Sequence, residues 1–199
     1  EIYTLSLHDA LPIWSFTYWD DVMNQIMGAS MSQPFDLLLG RKTYEIFAAH
    51  WPSAGENPIT EVFNKATKYV ASRTLDKLDW VNSKLIDGDV AKEVGRLKTG
   101  EGPDLQVHGS SVLLQTLIGA QLIDEYRLWI FPLVLGHGKR LFEKGAAAQG
   151  LSLVDTKSSS TGVVINTYRP AGAVRPGSFA HATPSDAELA RRKKMARES

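Results

Sequence analysis

The segment "FDLLLGRKTYE" (residues 35–45) places an apolar run directly before a glycine, two cations and a hydroxyl. An apolar run of this length closed by glycine is typical of a buried β-strand that ends in a sharp turn. The following residues, "KTYEIFAAHW", favour a helix that ends before Pro52. Because the start of a helix offers free N–H groups and a positive dipole end, Arg41 and Lys42 are well placed to meet an anion. From these residues alone, a surface turn with solvated cations is slightly favoured.

The composition describes an ordinary globular chain. It has 199 residues, enough for one domain with a tail, of which 43% are hydrophobic and 22% charged. Lysine plus arginine and aspartate plus glutamate number 22 each, so no overall field attracts nucleic acid. The absence of cysteine excludes disulfides, thiolate metal sites and a cysteine nucleophile. No apolar stretch is long enough to span a bilayer, and no signal-peptide layout opens the chain, so we expect a soluble cytoplasmic protein.

The order of predicted elements indicates an α/β fold. Helical spacing or helix end signals mark 18–31, 42–51, 58–65, 89–100 and 111–121. Strand-forming runs occupy 35–39, 68–72, 83–86, 104–109 and 124–136, where Pro132 suggests an edge or a bend, and a hairpin is predicted over 150–157 and 162–169. This alternation followed by a β-rich end predicts a three-layer α/β/α domain, with a mostly parallel central sheet and antiparallel C-terminal strands.

Three further strand ends resemble the turn after Gly40. Ser72 and Arg73 end one strand, and "VHGSS" ends another at residues 107–111. A serine at the start of a helix is most often an N-cap, yet beside a glycine it also suits a pyrophosphate. We interpret His108 as a packed strand-end residue rather than a base. In "VLGHGKRLF" (134–142), two glycines precede adjacent cations, and a wide turn is at least as good an interpretation as a ligand loop.

Taken together, the four strand ends predict a ligand site. Ligands of open α/β sheets bind where the strands terminate, so turns on successive strands can contact one long anionic molecule such as a dinucleotide. The GxGxxG fingerprint, the P-loop and any metal-ligand cluster with suitable spacing are absent from the sequence. A nucleotide would therefore be bound in a non-Rossmann arrangement.

Several segments resemble the dihydrofolate-reductase-like family, and within it the bacterial branch related to the C-terminal reductase domain of the riboflavin deaminase–reductase (RibD). The segments are "LLLGRKTYE", "YVASRTL", "LQVHGSSVLLQTLI" and "TGVVINTYRP", and the resemblance spans about residues 14–170. It implies a sheet of about eight strands flanked by helices, with NADPH lying across the strand ends. It also implies hydride transfer to a pterin-like substrate or to a ribosylaminopyrimidine of riboflavin biosynthesis. An NADPH-binding module without turnover is the alternative.

The resemblance also implies roles for particular residues. Four match the cofactor-phosphate turn: Gly40, Arg41, Lys42 and Thr43. Ser72 and Arg73 match the position near the adenosine 2′-phosphate, which favours NADPH over NADH. The glycine-rich pyrophosphate turn corresponds to Gly109, Ser110 and Ser111. A loop on the substrate side corresponds to Gly136, Gly138 and Lys139. No metal is implied.

The N-terminal segment departs from the family pattern. Members usually open with "S-x-D-G-x-I", whereas "LSLHDALPI" retains the serine and aspartate but not the glycine. We interpret residues 1–13 as a non-native segment, similar to a translated sequencing-adapter string. The catalytic residue is consequently unknown, and Asp9 is only a weak candidate. We predict that residues 2–7 nevertheless take the place of the family's first strand.

The domain is predicted to cover residues 14–170, and residues 171–199 form a C-terminal tail with a short charged helix starting at Ser185. The run "RRKK" at 191–194 raises the alternative of a nucleic-acid partner. A solvated tail is the favoured interpretation, because no aromatic side chains are interleaved for stacking on bases. We expect a small-molecule substrate and neither a nucleic-acid nor a membrane partner. The sequence leaves the oligomeric state open, although members of the resembled family commonly form homodimers through a sheet edge or hairpin.

Overall fold

The computed structural model describes residues 2–3, 13–136, 139–142, 146–175, 177 and 183–198. The strands are β1 (Ile2–Tyr3), β2 (Phe35–Gly40), β3 (Lys68–Ala71), β4 (Ser83–Ile86), β5 (Asp104–His108), β6 (Tyr126–Ile130), β7 (Leu151–Ser158) and β8 (Val164–Pro170). The α-helices are α1 (Asp21–Ser30), α2 (Arg41–His50), α3 (Pro58–Lys65), α4 (Val90–Lys98), α5 (Ser111–Gly119) and α6 (Asp186–Glu198). Two 3-10 helices cover Ile13–Tyr18 and Trp51–Ser53.

Strand β2, which carries the apolar run "FDLLLG", lies at the centre of a five-stranded parallel sheet in the order β1-β5-β2-β3-β4. Its neighbours are β3, which pairs Gly40 with Ala71, and β5, which pairs Leu37 with Gln106. Parallel strands need crossover connections: helices α2 and α3 connect β2 to β3 and α4 connects β4 to β5, whereas residues 72–82 connect β3 to β4 without a helix. The central strand is buried on both faces, which explains why its sequence is continuously apolar rather than alternating.

Successive leucines of β2 enter two different cores. Leu37 and Leu39 pack with side chains of α2 and α3, among them Phe47 and Phe63. Leu38 points to the opposite face, where it joins apolar residues of α4 and α5. The alternation follows from the two-residue period of a strand. Helices therefore cover both faces of the parallel sheet and form the predicted three layers.

A second sheet contains the antiparallel strands in the order β6-β8-β7. Helix α1 packs on this sheet through Met23, which is buried against Val163 and Ile165. The N-terminal end of α1 is attached to the turn between β7 and β8, because the Asp20 carboxylate accepts hydrogen bonds from the N–H and hydroxyl of Ser160. The antiparallel unit is thus fixed to the helical layer at both its face and its turn.

The predicted fold class is confirmed, with two differences in detail. The strands form two hydrogen-bonded sheets that adjoin where β6 lies beside β1, rather than one sheet of eight strands. Only Tyr126–Ile130 of the β-rich stretch 124–136 is a strand, since Pro132 lacks the N–H that a ladder needs. Ile2–Tyr3 pairs in parallel with Val107–His108, as the strand-substitution prediction requires, and residues 4–7 lie outside the described residues.

A buried lysine lies at the amino end of β3. Lys68 is fully shielded from solvent, and its ammonium donates hydrogen bonds to the carbonyls of Asn64 (2.8 Å) and Val81 (3.0 Å). The same ammonium lies 4.2 Å from the ring centroid of Trp80. Burial lowers the pKa of Lys68 to about 8, against an ordinary value of 10.5. The folded chain therefore releases this proton at a lower pH than the unfolded chain does.

Lys68 should make folding stability depend on pH in the alkaline range. Between the two pKa values the unfolded state binds more protons, so the free energy of unfolding rises as the pH rises. Relative to Lys68→Met, the wild-type chain should gain about 2 kcal/mol between about pH 7.5 and 9.5. Denaturant unfolding at several pH values measures this difference. The exposed Lys65→Met is the control, and an unchanged pH slope in Lys68→Met would contradict the assignment.

Candidate functional site

Three of the predicted ligand turns lie along one edge of the parallel sheet. Gly40, the last residue of β2, is paired with Ala71, the last residue of β3. Ser72 and Arg73 therefore follow directly beside the turn after Gly40. The pairing of Leu37 with Gln106 brings Gly109 level with Gly40 on the other side. The carboxyl ends of β2, β3 and β5 consequently present their turns to the same region.

The neighbouring strands β2 and β5 send their helices to opposite faces of the sheet. Helix α2 packs in the core that contains Leu37, and α5 packs in the core that contains Leu38. A pair of adjacent parallel strands whose connections diverge in this way leaves a crevice outside their carboxyl ends. The crevice between the starts of α2 and α5 is therefore the place where this topology forms a ligand site.

Ser110 links the two turns at this crevice by hydrogen bonds. Its N–H donates to Thr43 Oγ1 at 3.2 Å, and its Oγ accepts from the N–H of Gly40 at 3.0 Å. The same hydroxyl lies 3.1 Å from the carbonyl oxygen of His108 and donates to it. Ser110 and Thr43 are both buried. Since buried polar groups are costly to leave unpaired, these bonds fix the start of α5 against the start of α2.

The backbone of the β5–α5 turn adopts the left-handed conformation at two consecutive residues. Gly109 has φ 59° and Ser110 has φ 53°. Glycine tolerates this region, whereas a residue with a Cβ atom is strained there by about 1–2 kcal/mol. The hydrogen bonds of Ser110 offset that strain. Backbone strain at a strand end, held by the surrounding contacts, is a feature of ligand-binding turns.

Helices α2 and α5 begin without the capping that the other described α-helices have. Their N-cap residues, Gly40 and Ser110, make no side-chain cap hydrogen bond, and neither first turn contains an acidic residue. Helices α1, α3, α4 and α6 each have a side-chain N-cap and an acidic residue in the first turn. Their N-cap residues are Asp20, Asn57, Asp89 and Ser185. The first N–H groups of α2 and α5 are thus left for an external acceptor, and both helix dipoles favour an anion there.

Three cationic side chains surround these helix starts. Arg41 is half-exposed, and its guanidinium contacts both oxygens of Glu45 at 3.0 and 3.1 Å. Lys42 and Arg73 are exposed, and within the part of the chain that the structure describes they have no ion-pair partner. The region therefore combines two uncapped helix starts with solvent-accessible cations, an arrangement suited to phosphate groups.

The Ser72 side chain stabilises the turn that follows β3. Its hydroxyl accepts hydrogen bonds from the N–H groups of Thr74 and Leu75, both at 3.1 Å. Ser72 is buried, whereas Arg73 next to it is exposed. Of this predicted pair, Arg73 is the side chain that an external phosphate can reach, and Ser72 sets the path of the chain that presents it.

His108 is a packed residue, as its position at a strand end predicted. It lies between Phe47 and Phe63, and its Nε2 is 3.2 Å from Gln106 Oε1. Gln106 in turn donates to the carbonyl of Ser30 at the end of α1. Burial lowers the pKa of His108 to about 3, so the imidazole is neutral at physiological pH. His108 therefore supports the turn and carries no charge toward a ligand.

The predicted substrate-side loop lies partly outside the described residues. Gly136 and Lys139 are exposed, and Gly136 has φ 72°. Gly138 and the weak catalytic candidate Asp9 lie outside the described residues. The loop is attached to α5, because Gln115 donates a hydrogen bond to the carbonyl of Leu141.

Among the described residues, histidine and acidic side chains form no cluster of three that could hold a metal ion. No described helix combines the length and apolar character needed to cross a membrane.

Sequence reasoning missed the ion pair between Glu45 and Arg41. Glu45 lies within the opening segment "GRKTYE", and its spacing of four residues from Arg41 is the signal for an ion pair within a helix. The link between Ser110 and Thr43 was also missed, because it joins residues 67 positions apart in the sequence. The missing cap of α2 is visible in the sequence, because its N-cap residue is Gly40, whereas that of α5 is not, because Ser110 is a residue that usually caps and here bonds Gly40 and His108 instead.

The fold is shared with proteins of known structure. A protein of Shewanella sp. PV-4 assigned to riboflavin biosynthesis superposes with a TM-score of 0.67 at 18% sequence identity, over 85% of this chain and 97% of that protein. A dihydrofolate reductase of Enterococcus faecalis, complexed with NADP(H) and RAB-propyl, gives a TM-score of 0.53 at 16% identity, over 85% and 95% of the two chains. At these identities the likeness establishes a dihydrofolate-reductase-like fold.

Sequence comparison defines the family more narrowly. The profile of the RibD C-terminal domain matches residues 12–165. The uncharacterized protein YyaP of Bacillus subtilis (strain 168) is 34% identical over 154 residues, which is 74% of this chain and 81% of YyaP. A second uncharacterized protein of Bacillus subtilis (strain 168), YwjB, is 27% identical over 135 residues, which is 67% of this chain and 72% of YwjB. The chain belongs to the RibD C-terminal domain family.

Removing the Ser110 hydroxyl should loosen the junction of the two turns. Ser110→Ala leaves the N–H of Gly40 without its acceptor, and we expect the free energy of unfolding to fall by about 1–3 kcal/mol. Ser110→Gly loses the same hydroxyl but relieves the left-handed strain, so it should be about 1 kcal/mol more stable than Ser110→Ala. Urea unfolding measures both variants, and equal stability for the two would contradict the strained conformation.

Proposed function

We propose that this protein is an NADPH-dependent reductase. In this proposal it transfers hydride to a C=N or C=O carbon of a pterin-like or ribosylaminopyrimidine substrate, as in the reduction step of riboflavin biosynthesis or in dihydrofolate reduction. The observation that carries the proposal is the pair of uncapped helix starts held together by Ser110. A pyrophosphate is a two-centred anion, and two adjacent sets of free N–H groups match it.

In this proposal, different residues of the crevice would bind different parts of the cofactor. The N–H groups that follow Gly40 and Ser110 would bind the pyrophosphate. The exposed cations Lys42 and Arg73, with Arg41, would meet the 2′-phosphate that distinguishes NADPH from NADH. Gly136, Gly138 and Lys139 would lie on the substrate side.

The residues present fit a bound dinucleotide, and their contributions follow from the geometry. When bound, NADPH supplies the hydride, and the protein supplies binding and orientation. Thr43 and Ser110 fix the two helix starts relative to each other, which orients their N–H groups before the cofactor arrives. Such preorganisation reduces the entropy that binding would otherwise lose. The buried His108 packs beneath the β5–α5 turn, and because its imidazole is neutral it adds no charge to the site.

The comparisons support this proposal at the level of the fold and family. Membership of the RibD C-terminal domain family agrees with reductase chemistry. The dihydrofolate reductase of the same fold binds NADP(H) in its solved complex.

An NADPH-binding module without turnover is the second candidate function. The described residues of the crevice offer helix N–H groups, hydroxyls and cations, and the one histidine there is buried and neutral. These groups are suited to binding phosphate, and the Glu45 carboxylate beside them is ion-paired with Arg41 rather than placed as an acid that donates a proton to the substrate. Binding and turnover must therefore be measured separately.

We also propose that the protein forms a homodimer through β7. This strand is at the edge of the antiparallel sheet and is exposed along almost its whole length. Leu153 and Val154 are 54% and 49% exposed. An edge strand with exposed apolar side chains is a surface suited to pairing with a second copy.

Two assays distinguish the two candidate functions. Titration with NADPH, followed by the change in its fluorescence, measures binding. Loss of NADPH absorbance in the presence of dihydrofolate or a ribosylaminopyrimidinone measures turnover. Binding with oxidation supports the reductase, binding without oxidation of either substrate supports the module, and the absence of binding contradicts both.

The cations beside the helix starts should discriminate between the two nicotinamide cofactors. The double variant Arg41→Ala/Arg73→Ala should weaken NADPH binding roughly tenfold or more and NADH binding about twofold or less, because only NADPH carries the 2′-phosphate. Fluorescence titration with each cofactor gives the two dissociation constants.

The matched control for this pair is Arg96→Ala/Arg192→Ala, which removes the same charge from α4 and α6. It should leave the preference for NADPH unchanged. Equal weakening of NADPH and NADH by the Arg41/Arg73 variant would show that these arginines do not read the 2′-phosphate.

A further inference from the structure

Arg41 is the one cation of the crevice whose charge is already balanced. Its guanidinium Nη1 lies 3.0 and 3.1 Å from the two carboxylate oxygens of Glu45, one helical turn further along α2. Lys42 and Arg73 have no such partner within the described residues. Both members of the pair are accessible to water, with side-chain exposures of 41% for Arg41 and 44% for Glu45. The pair can therefore open without exposing a buried charge.

We propose that Glu45 acts as an internal competitor for the cofactor phosphate and so sets the affinity and selectivity of the site. The inference rests on the proposed function, since it concerns the same phosphate-binding crevice. Both Glu45 contacts are made by Nη1 of Arg41, so a phosphate that approaches Arg41 competes with the Glu45 carboxylate for that nitrogen and for the guanidinium charge. Until the phosphate binds, Glu45 occupies Nη1 and adds one negative charge beside the helix starts.

The position of Glu45 in α2 supports this assignment. The first turn of α2 contains no acidic residue, so its N–H groups remain open to an anion. Glu45 lies just beyond that turn, too far along the helix to cap it yet close enough for its carboxylate to reach Arg41. The carboxylate thus leaves the backbone donors free and acts on the arginine alone. The N–H groups of α2 remain available to an anion at all times, whereas Arg41 becomes available only when the anion displaces Glu45.

The exchange of Glu45 for a phosphate at Arg41 affects which anions the site selects. A weak or singly charged anion does not displace Glu45 from Arg41, whereas a dianionic phosphate does so more readily because its attraction to the guanidinium is greater. Glu45 therefore lowers the affinity for every anion but penalises the least charged ones most. In this arrangement the free cations Lys42 and Arg73 make the first contact, and Arg41 joins once the phosphate is in place.

The test compares Glu45→Gln with the matched control Glu93→Gln. Glu93 pairs with Arg96 on α4 in a similar way, at 3.0 and 2.7 Å, so both variants remove one carboxylate and release one arginine. We expect Glu45→Gln to tighten NADPH binding by about threefold to tenfold at low salt, with a smaller gain at high salt because the charges are exposed. Glu93→Gln should change NADPH affinity less than about twofold, because Glu93 lies on a different helix and salt screens the long-range effect of its charge.

A double-mutant comparison shows whether Glu45 acts through Arg41. In the Arg41→Ala background, Glu45→Gln should lose most of its effect on NADPH affinity. Undiminished tightening in that background would overturn the proposal, and so would equal effects of Glu45→Gln and Glu93→Gln.

Adenosine 2′-phosphate is the second probe, because it carries the phosphate that Arg41 would meet, and it separates this proposal from the proposed function. If no variant binds NADPH, the reductase proposal fails, and the affinity for adenosine 2′-phosphate then decides the competitor proposal. Adenosine 2′-phosphate bound more tightly by Glu45→Gln than by both wild type and Glu93→Gln supports it. An affinity for adenosine 2′-phosphate that does not differ among the three proteins overturns it.

Discussion

The hydrogen bonds of Ser110 hold the candidate site together. They connect the turn after β5 to the turn after β2 through Thr43 Oγ1 and the N–H of Gly40. Strands β5 and β2 are neighbours, but their helices leave toward opposite faces of the sheet. Without a direct link, the starts of α2 and α5 would be positioned only by packing on separate cores. Ser110 makes them one rigid unit, at the cost of a left-handed backbone conformation.

The chemistry of that unit depends on the absence of cap hydrogen bonds and of first-turn acids in α2 and α5. Helix α4 follows β4 and so begins at the same edge of the sheet, but Asp89 caps it and Glu93 lies in its first turn. Helices α2 and α5 have neither feature. The dipole and the free N–H groups are properties of every helix, so the anion site arises where acids and caps are absent. The nearby cations Lys42 and Arg73 then add charge that the backbone alone does not supply.

The sequence predicted the elements of this site better than it predicted their connections. The apolar run before Gly40 correctly indicated a central buried strand, and the glycines and serines of "VHGSS" correctly indicated a turn at the same edge. The bond between Ser110 and Thr43 could not be predicted, because it depends on strand order and register rather than on any local pattern. The division of the strands into two sheets likewise depends on pairing between distant segments. Local propensity determines where strands and helices form, and long-range packing determines which of their ends meet.

The central claim is that the starts of α2 and α5 bind one anion together. Backbone amide chemical shifts, followed by NMR during a titration with NADPH, test it most directly. The account predicts that the amides of residues 41–43 and 111–113 shift together along one saturation curve, while those of residues 90–92 at the capped start of α4 change little. Shifts confined to one of the two helix starts, or two curves with different midpoints, would contradict it.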